Sequence, residues 1–208
     1  MIKLYEDMLS EMAISGYGDW EGSKSMVSTI SSIPLKLNWK YLGIIESRNK
    51  DKFEVYINSS KDVYVCGNFV TFESGDTMFE VDFEIKLNAM YILSKRFKLK
   101  NLMNVDGVKV NKDKQGQGIA IAMYKFLVNK EKLTILGDEM QYFGARRLWK
   151  RLSASEDMIV DIIDIDKDEY IERDVLLKHG SKDWEFDTRV WSYDVDKKDI
   201  RTVLKKII

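Results

Sequence analysis

Proline, cysteine and histidine are almost missing from this chain: each occurs once, as Pro34, Cys66 and His179. A lone cysteine excludes an intrachain disulfide and a cysteine-rich metal site. Cys66, in Val63-Tyr64-Val65-Cys66, reads as a small apolar core residue of a protein kept in a reducing compartment. A lone histidine makes neither a metal site nor a catalytic triad. An excess of one charge is absent too, because 33 Lys and Arg face 34 Asp and Glu, for a formal net charge of -1. Nothing in that balance draws the chain to nucleic acid or anionic lipid. No apolar run approaches the roughly 18 residues of a membrane span. The start, Met1-Ile2-Lys3-Leu4-Tyr5-Glu6-Asp7, lacks the form of a signal peptide. The expectation is a cytoplasmic protein with no nucleic-acid or membrane partner.

With 208 residues, 45% hydrophobic and 32% charged, the chain is long enough for one domain with a sizeable core. Tyr5, Met8, Leu9, Met12 and Ala13 share one helical face over residues 2–14. A second helix is read over residues 22–31, stopping before Pro34. Residues 39–87 read as an antiparallel meander, with strands over Trp39–Glu46, Phe53–Ile57 and Val63–Phe72. Phe79 to Leu87 alternates apolar and charged residues strictly, which predicts one buried and one wet face. The lysine-rich stretch Ser94–Lys100 reads as a charged strand edge or loop. Further on, Leu133–Leu136 and Met158–Ile165 are strand candidates. Residues 142–153 read as a helix with Phe143, Leu148 and Leu152 turned inward. Asp199 can cap a final helix whose apolar face is Ile200, Val203, Leu204 and Ile207.

The segment that carries chemistry runs from Val108 to Ala120. A strand over residues 100–110 leads into a charged turn, then Gln115-Gly116-Gln117-Gly118-Ile119-Ala120, then a helix to Lys130 with Ile119, Met123, Phe126 and Leu127 inward. Backbone N–H groups in a helix's first turn lack intrahelical partners, and the dipole is positive there. Gly116 and Gly118 remove side chains that would hold an anion away, so the turn reads as a pyrophosphate cradle. It is not a Walker loop, since no Gly-Lys-(Ser/Thr) follows. Nor is it a dinucleotide fingerprint, since Ile121 stands where the third glycine belongs. A tight turn with glycines and no ligand is the plain alternative.

Strand, Gln115-x-x-Gly118-x-Ala120 and helix together resemble the acetyl-CoA-binding motif of the GNAT superfamily of N-acetyltransferases. Ala145-x-x-Leu148-Trp149 is similar to the family's Ala-x-x-Leu-Tyr segment. The resemblance covers roughly residues 39–165 and implies an α/β (α+β) fold, a mixed and largely antiparallel central sheet flanked by helices. It implies a domain over 1–165, with helices in 1–38 and a core in 39–165, and a C-terminal extension, 166–208, packed on the same domain. That extension completes the sheet, covers a substrate groove or dimerises; a homodimer is left open. Its aromatics Trp184, Trp191 and Tyr193 read as core.

The implied activity is transfer of an acetyl group from acetyl-CoA to an amine of an unidentified small molecule or protein. Val108, Lys109 and Val110 would hold the pantetheine arm and polarise the thioester carbonyl. Gln115, Gly116, Gln117, Gly118, Ile119 and Ala120 would hold the pyrophosphate. Asp106, on the strand face of Val108, is the candidate general base, with Glu139 the alternative. Tyr142 could supply a hydroxyl in place of the family's usual tyrosine, where Trp149 stands and cannot donate a proton of suitable pKa. That departure keeps open a second reading, a non-catalytic protein of the same fold that binds a macromolecular partner. No metal is expected: Asp164-Ile165-Asp166-Lys167-Asp168 begins like a calcium loop, but Glu169 replaces its glycine and Val175 its final glutamate.

Overall fold

The computed structural model describes residues 39–75, 77–138, 143–173 and 200–207. The expected helices at 2–14 and 22–31 lie outside them, as do Glu139, Tyr142, Val175, His179, Trp184, Trp191, Tyr193 and Asp199. Among the described residues the fold is mixed α/β, dominated by a mostly antiparallel sheet of nine strands with few helices. Two compact units divide the described chain: one joins the stretch ending at Leu87 to Gly107–Met123, the other joins Asn88–Asp106 to the stretch beginning at Tyr124.

The first unit is the meander read from the sequence. Strands β1 (Trp39–Glu46), β2 (Lys52–Asn58), β3 (Val63–Thr71) and β4 (Thr77–Ala89) pair antiparallel in chain order. Side chains close the turns. Ser47 Oγ accepts from the N–H of Asn49 and of Asp51, both at 3.2 Å, shaping the β1–β2 turn with Lys50 left-handed at φ 71°. Asn58 Oδ1 does the same for Asp62 and Val63 at 3.1 Å. One core patch is Tyr56, Val65 and Phe79, with Tyr56 and Phe79 edge-to-face at 5.1 Å. Cys66 is fully buried, and burial pushes its thiol well above the ordinary range. Thiol reagents are therefore expected to leave the native protein unmodified and to label it only after denaturation; rapid labelling of folded protein would contradict this packing.

Strand β4 departs from the alternation pattern. Phe79, Phe83, Ile85 and Leu87 are buried as expected, but the β3–β4 register slips at Asp82, so Glu84 shares a face with Phe79 while Phe83, Ile85 and Leu87 take the other, and Asp82 and Glu84 are buried too. The strand that follows in the sheet runs beside β4 and supplies partners there: Asn111 N–H donates to Asp82 O at 2.8 Å, and Lys109 Nζ reaches Glu84 Oε1 at 3.2 Å. Alternation assigns residues to two faces. It does not announce a bulge that swaps them.

The second unit holds the short helix α1 (Tyr91–Arg96), which takes the first three residues of the Ser94–Lys100 stretch expected as a strand edge or loop; residues 97–100 are turn. Its Leu93 packs with Phe97, Leu99, Leu102, Leu136, Ile163 and Val203. Strand β5 (Leu102–Val110) begins here and pairs parallel with β6 (Thr134–Leu136). Between them runs helix α2 (Ile119–Asn129), with Ile119, Met123, Phe126 and Leu127 buried as read. Helix α3 (Phe143–Ser153) buries Leu152 and Trp149, while Leu148 is half-buried. Strands β7 (Met158–Asp164) and β8 (Glu169–Glu172) form a hairpin. The calcium-like residues make its turn: Asp164 Oδ1 accepts from Lys167 N–H at 3.0 Å.

The final helix expected after Asp199 is instead strand β9 (Ile200–Lys206), antiparallel to both β6 and β7. Residues 200–204 are all buried, Arg201 and Thr202 among them. A helix with an Ile200, Val203, Leu204 and Ile207 face would have put those two in water. An interior strand buries both faces, and Ile, Thr and Val suit it. Part of the C-terminal extension thus completes the sheet.

Candidate phosphate-binding turn

The turn is assembled from its own side chains and one neighbour. After Val110, Asn111 Oδ1 accepts from Asp113 N–H at 3.3 Å and Lys114 N–H donates to Asn111 O at 2.9 Å, winding Lys112–Lys114 into a single 3-10 turn. Gln115 is extended, and Gly116 and Gly118 take φ of 75° and 80°. Only glycine adopts that region without cost. Gln117 Nε2 donates back to Asp113 O at 3.1 Å, and Ala122 N–H donates to Gly118 O at 3.0 Å as the first helical bond of α2.

No acceptor among the described residues lies on the backbone N–H groups of residues 116–120. Gln115 N–H is spent on Lys112 O at 3.4 Å, so the row of available donors starts one residue later than its side chain suggested. Residues 114–118 are half-buried and Ile119 is buried, so the loop is not sealed. Donors at a helix start, in alternating left-handed geometry, suit an anion such as a phosphate.

Arg48 is the residue that sequence reading missed. Its N–H donates to Gln117 O at 2.9 Å, and its Cβ lies 3.2 Å from where a side chain on Gly118 would begin. Its side chain is exposed, adding a cation to the neighbourhood of Lys112 and Lys114. No local pattern around Arg48 carries a signal for this, because the β1–β2 turn meets Gln117 only through folding. Gly118 therefore has a packing duty as well as its conformational one.

The other expected residues fall as follows. Val108, Lys109 and Val110 lie half-buried on β5, with Lys109 turned to Glu84. Asp106 is exposed on the same strand. Trp149, only 2% exposed, stacks edge-to-face on Tyr124 at 6.0 Å, so it is a core side chain. Glu139 and Tyr142 lie outside the described residues. Among the described residues there is no cluster able to hold a metal.

Asp82 and Glu84 are buried carboxylates of β4, beside the segment that leads to the turn. Burial pushes Asp82 up to about 6; Lys114 opposes the shift, Glu80 adds to it, and the Asn111 hydrogen bond opposes it. A raised folded-state value means that folding takes up a proton, so this group's contribution is complete below pH about 4 and lost as pH climbs through about 6. Asp82→Asn should accordingly gain on the order of 2 kcal/mol over wild type at pH 8, once the shift is discounted for solvent screening, with the difference vanishing near pH 4. Urea unfolding at both pH values checks this. An equal offset at the two would contradict it.

No protein-family model, curated protein or solved structure matches the chain.

Proposed function

We propose that the protein is an acetyl-CoA-dependent N-acetyltransferase whose turn from Gly116 to Ala120 binds the cofactor's pyrophosphate. The observation that carries this reading is the row of backbone N–H groups at residues 116–120, without acceptors among the described residues, at the start of α2 and directly after β5. The parallel pairing of β5 with β6 also supports it. The described pairs end at Asn104↔Leu136, while β5 runs on to Val110. In the GNAT superfamily, which the motif resembles, the cofactor's arm enters where these strands part.

In the reaction, a neutral amine attacks the thioester carbonyl, the C–S bond breaks and an amide forms. The amine's proton passes to a base, and coenzyme A leaves as the thiol. The chain's part is to bind and orient: N–H groups at Gly116–Ala120 on the diphosphate, and backbone at Val108 and Val110 on the arm. Asp106, exposed on β5 and alternating in phase with Val108, is the candidate proton acceptor. Buried Trp149 donates no proton, so protonation of the leaving thiolate falls to Tyr142 or to water.

Incubation with labelled acetyl-CoA and a panel of small-molecule and peptide amines tests the reading. Acetylated product should appear, and Asp106→Asn should lower kcat by about 100-fold, in the range of general-base losses. Binding of acetyl-CoA without turnover on any amine would favour the second reading, a partner-binding protein of this fold, for which the buried Trp149 in the family's tyrosine position speaks.

A further inference from the structure

Arg201 is a buried guanidinium reached by no motif, and its position is unusual. It projects from β9 to the place where β5 and β6 stop pairing. The parallel register runs Leu102↔Thr134, Met103↔Ile135, Asn104↔Leu136 and ends there. The next residue on the β6 side, Gly137, is held by β9 on both backbone groups. Its N–H donates to Thr202 O at 2.8 Å, and its carbonyl accepts from Arg201 Nε at 2.7 Å and from Nη2. The same Nη2 donates to Asn104 Oδ1, on β5. One rigid fork therefore grips both arms of the parting: the last paired residue of β5 and the first residue beyond β6.

Two physical points make this more than a core contact. Burying a guanidinium is expensive unless its N–H groups are satisfied, and here the acceptors named are a carbonyl and an amide oxygen at the mouth of the parting. The Gly137 carbonyl lies on the β9 side, as its N–H does, so Arg201 meets it there and reaches on to Asn104 of β5 from the same guanidinium. The planar fork fixes the separation of Asn104 from Gly137, which a flexible lysine ammonium would not do.

We propose that Arg201 is a positioning residue that holds β5 and β6 apart at Asn104 and Gly137, and so sets the place where the acyl-pantetheine arm of acetyl-CoA lies along β5. This rests on the acetyltransferase reading above. It acts through backbone placement and touches no reacting atom. The arm, and not the pyrophosphate, should feel its loss.

Calorimetric titrations of the full chain with acetyl-CoA, and with 3′-phospho-ADP as a fragment ending at the pyrophosphate, separate the two. Arg201→Gln and Asn104→Ala should each weaken acetyl-CoA by about 10-fold, or about 1.4 kcal/mol, and the fragment by less than about 2-fold. Arg201→Lys should restore little, since an ammonium cannot make the fork. Should the Arg201 variants fail to fold, Asn104→Ala, at a half-buried position, carries the same test. Unchanged acetyl-CoA affinity in Asn104→Ala, or equal losses for acetyl-CoA and fragment, would overturn the inference and leave the acetyltransferase reading intact. A wild-type protein that binds acetyl-CoA but not the fragment would also overturn it. Wild type that binds neither removes the reading itself.

Discussion

Gly67→Ala is expected to cost on the order of 4 kcal/mol or more, enough to unfold a marginally stable protein. A Cβ built on Gly67 would sit 1.8 Å from Glu80 O, 2.9 Å from Glu80 C and 3.2 Å from Val81 Cα. All three atoms are backbone of β4, so no side-chain rotation relieves the clash. The glycine sits at the bulge where the β3–β4 register shifts between Cys66 and Gly67, and there the two chains approach more closely than a regular ladder allows. Relief would require parting β3 from β4, and with them Phe79 and Phe83 from the core. Gly107→Ala is the natural control, because a Cβ there meets nothing within 4 Å; it should shift stability by less than about 0.5 kcal/mol. Denaturant midpoints of the two variants decide the matter. Equal midpoints would mean that the bulge is not the constraint described.

Gly118→Glu should abolish acetyl-CoA binding, with a loss of more than about 100-fold, or about 2.7 kcal/mol. Three effects act together. The backbone there has φ 80°, which an L side chain rarely adopts, at about 1–2 kcal/mol of strain. A Cβ meets Arg48 Cβ at 3.2 Å, so the β1–β2 turn must give way. And a carboxylate brought to the donors of residues 116–120 would compete for them and repel a diphosphate. Gly118→Ala has the first two effects without the third, so it separates strain from charge. The alanine variant should lose stability comparably to the glutamate one but retain more of the affinity. If both variants bind acetyl-CoA like wild type, the ligand sits elsewhere.

Much of the meander was legible because strands with one apolar face announce themselves by alternation, and the turn residues Ser47 and Asn58 do locally what their types predict. The glycine turn was legible for the same local reason: Gly116 and Gly118 are both left-handed. What could not be read is set by contacts distant in the chain. Asp82 and Glu84 looked wet because nothing in β4 announces the bulge at Asp82 or the Lys109 that reaches Glu84 from the neighbouring strand. Arg48 meets Gln117 across more than sixty positions of sequence, and Arg201 meets Asn104 across 97. The spacing of Ile200, Val203, Leu204 and Ile207 is helical, and it misleads because β9 is an interior strand buried on both faces. Only the burial of Arg201 and Thr202 between β6 and β7 separates helix from strand, and a short apolar run cannot supply that information by itself.

The central claim is that backbone amides at residues 116–120 grip the diphosphate of coenzyme A, and amide NMR of the ¹⁵N-labelled full chain tests it most directly. Titration with acetyl-CoA should move the resonances of Gly116, Gln117, Gly118, Ile119 and Ala120 saturably, with downfield proton shifts where hydrogen bonds to phosphate form. Resonances in that segment that stay fixed at millimolar acetyl-CoA would contradict the account.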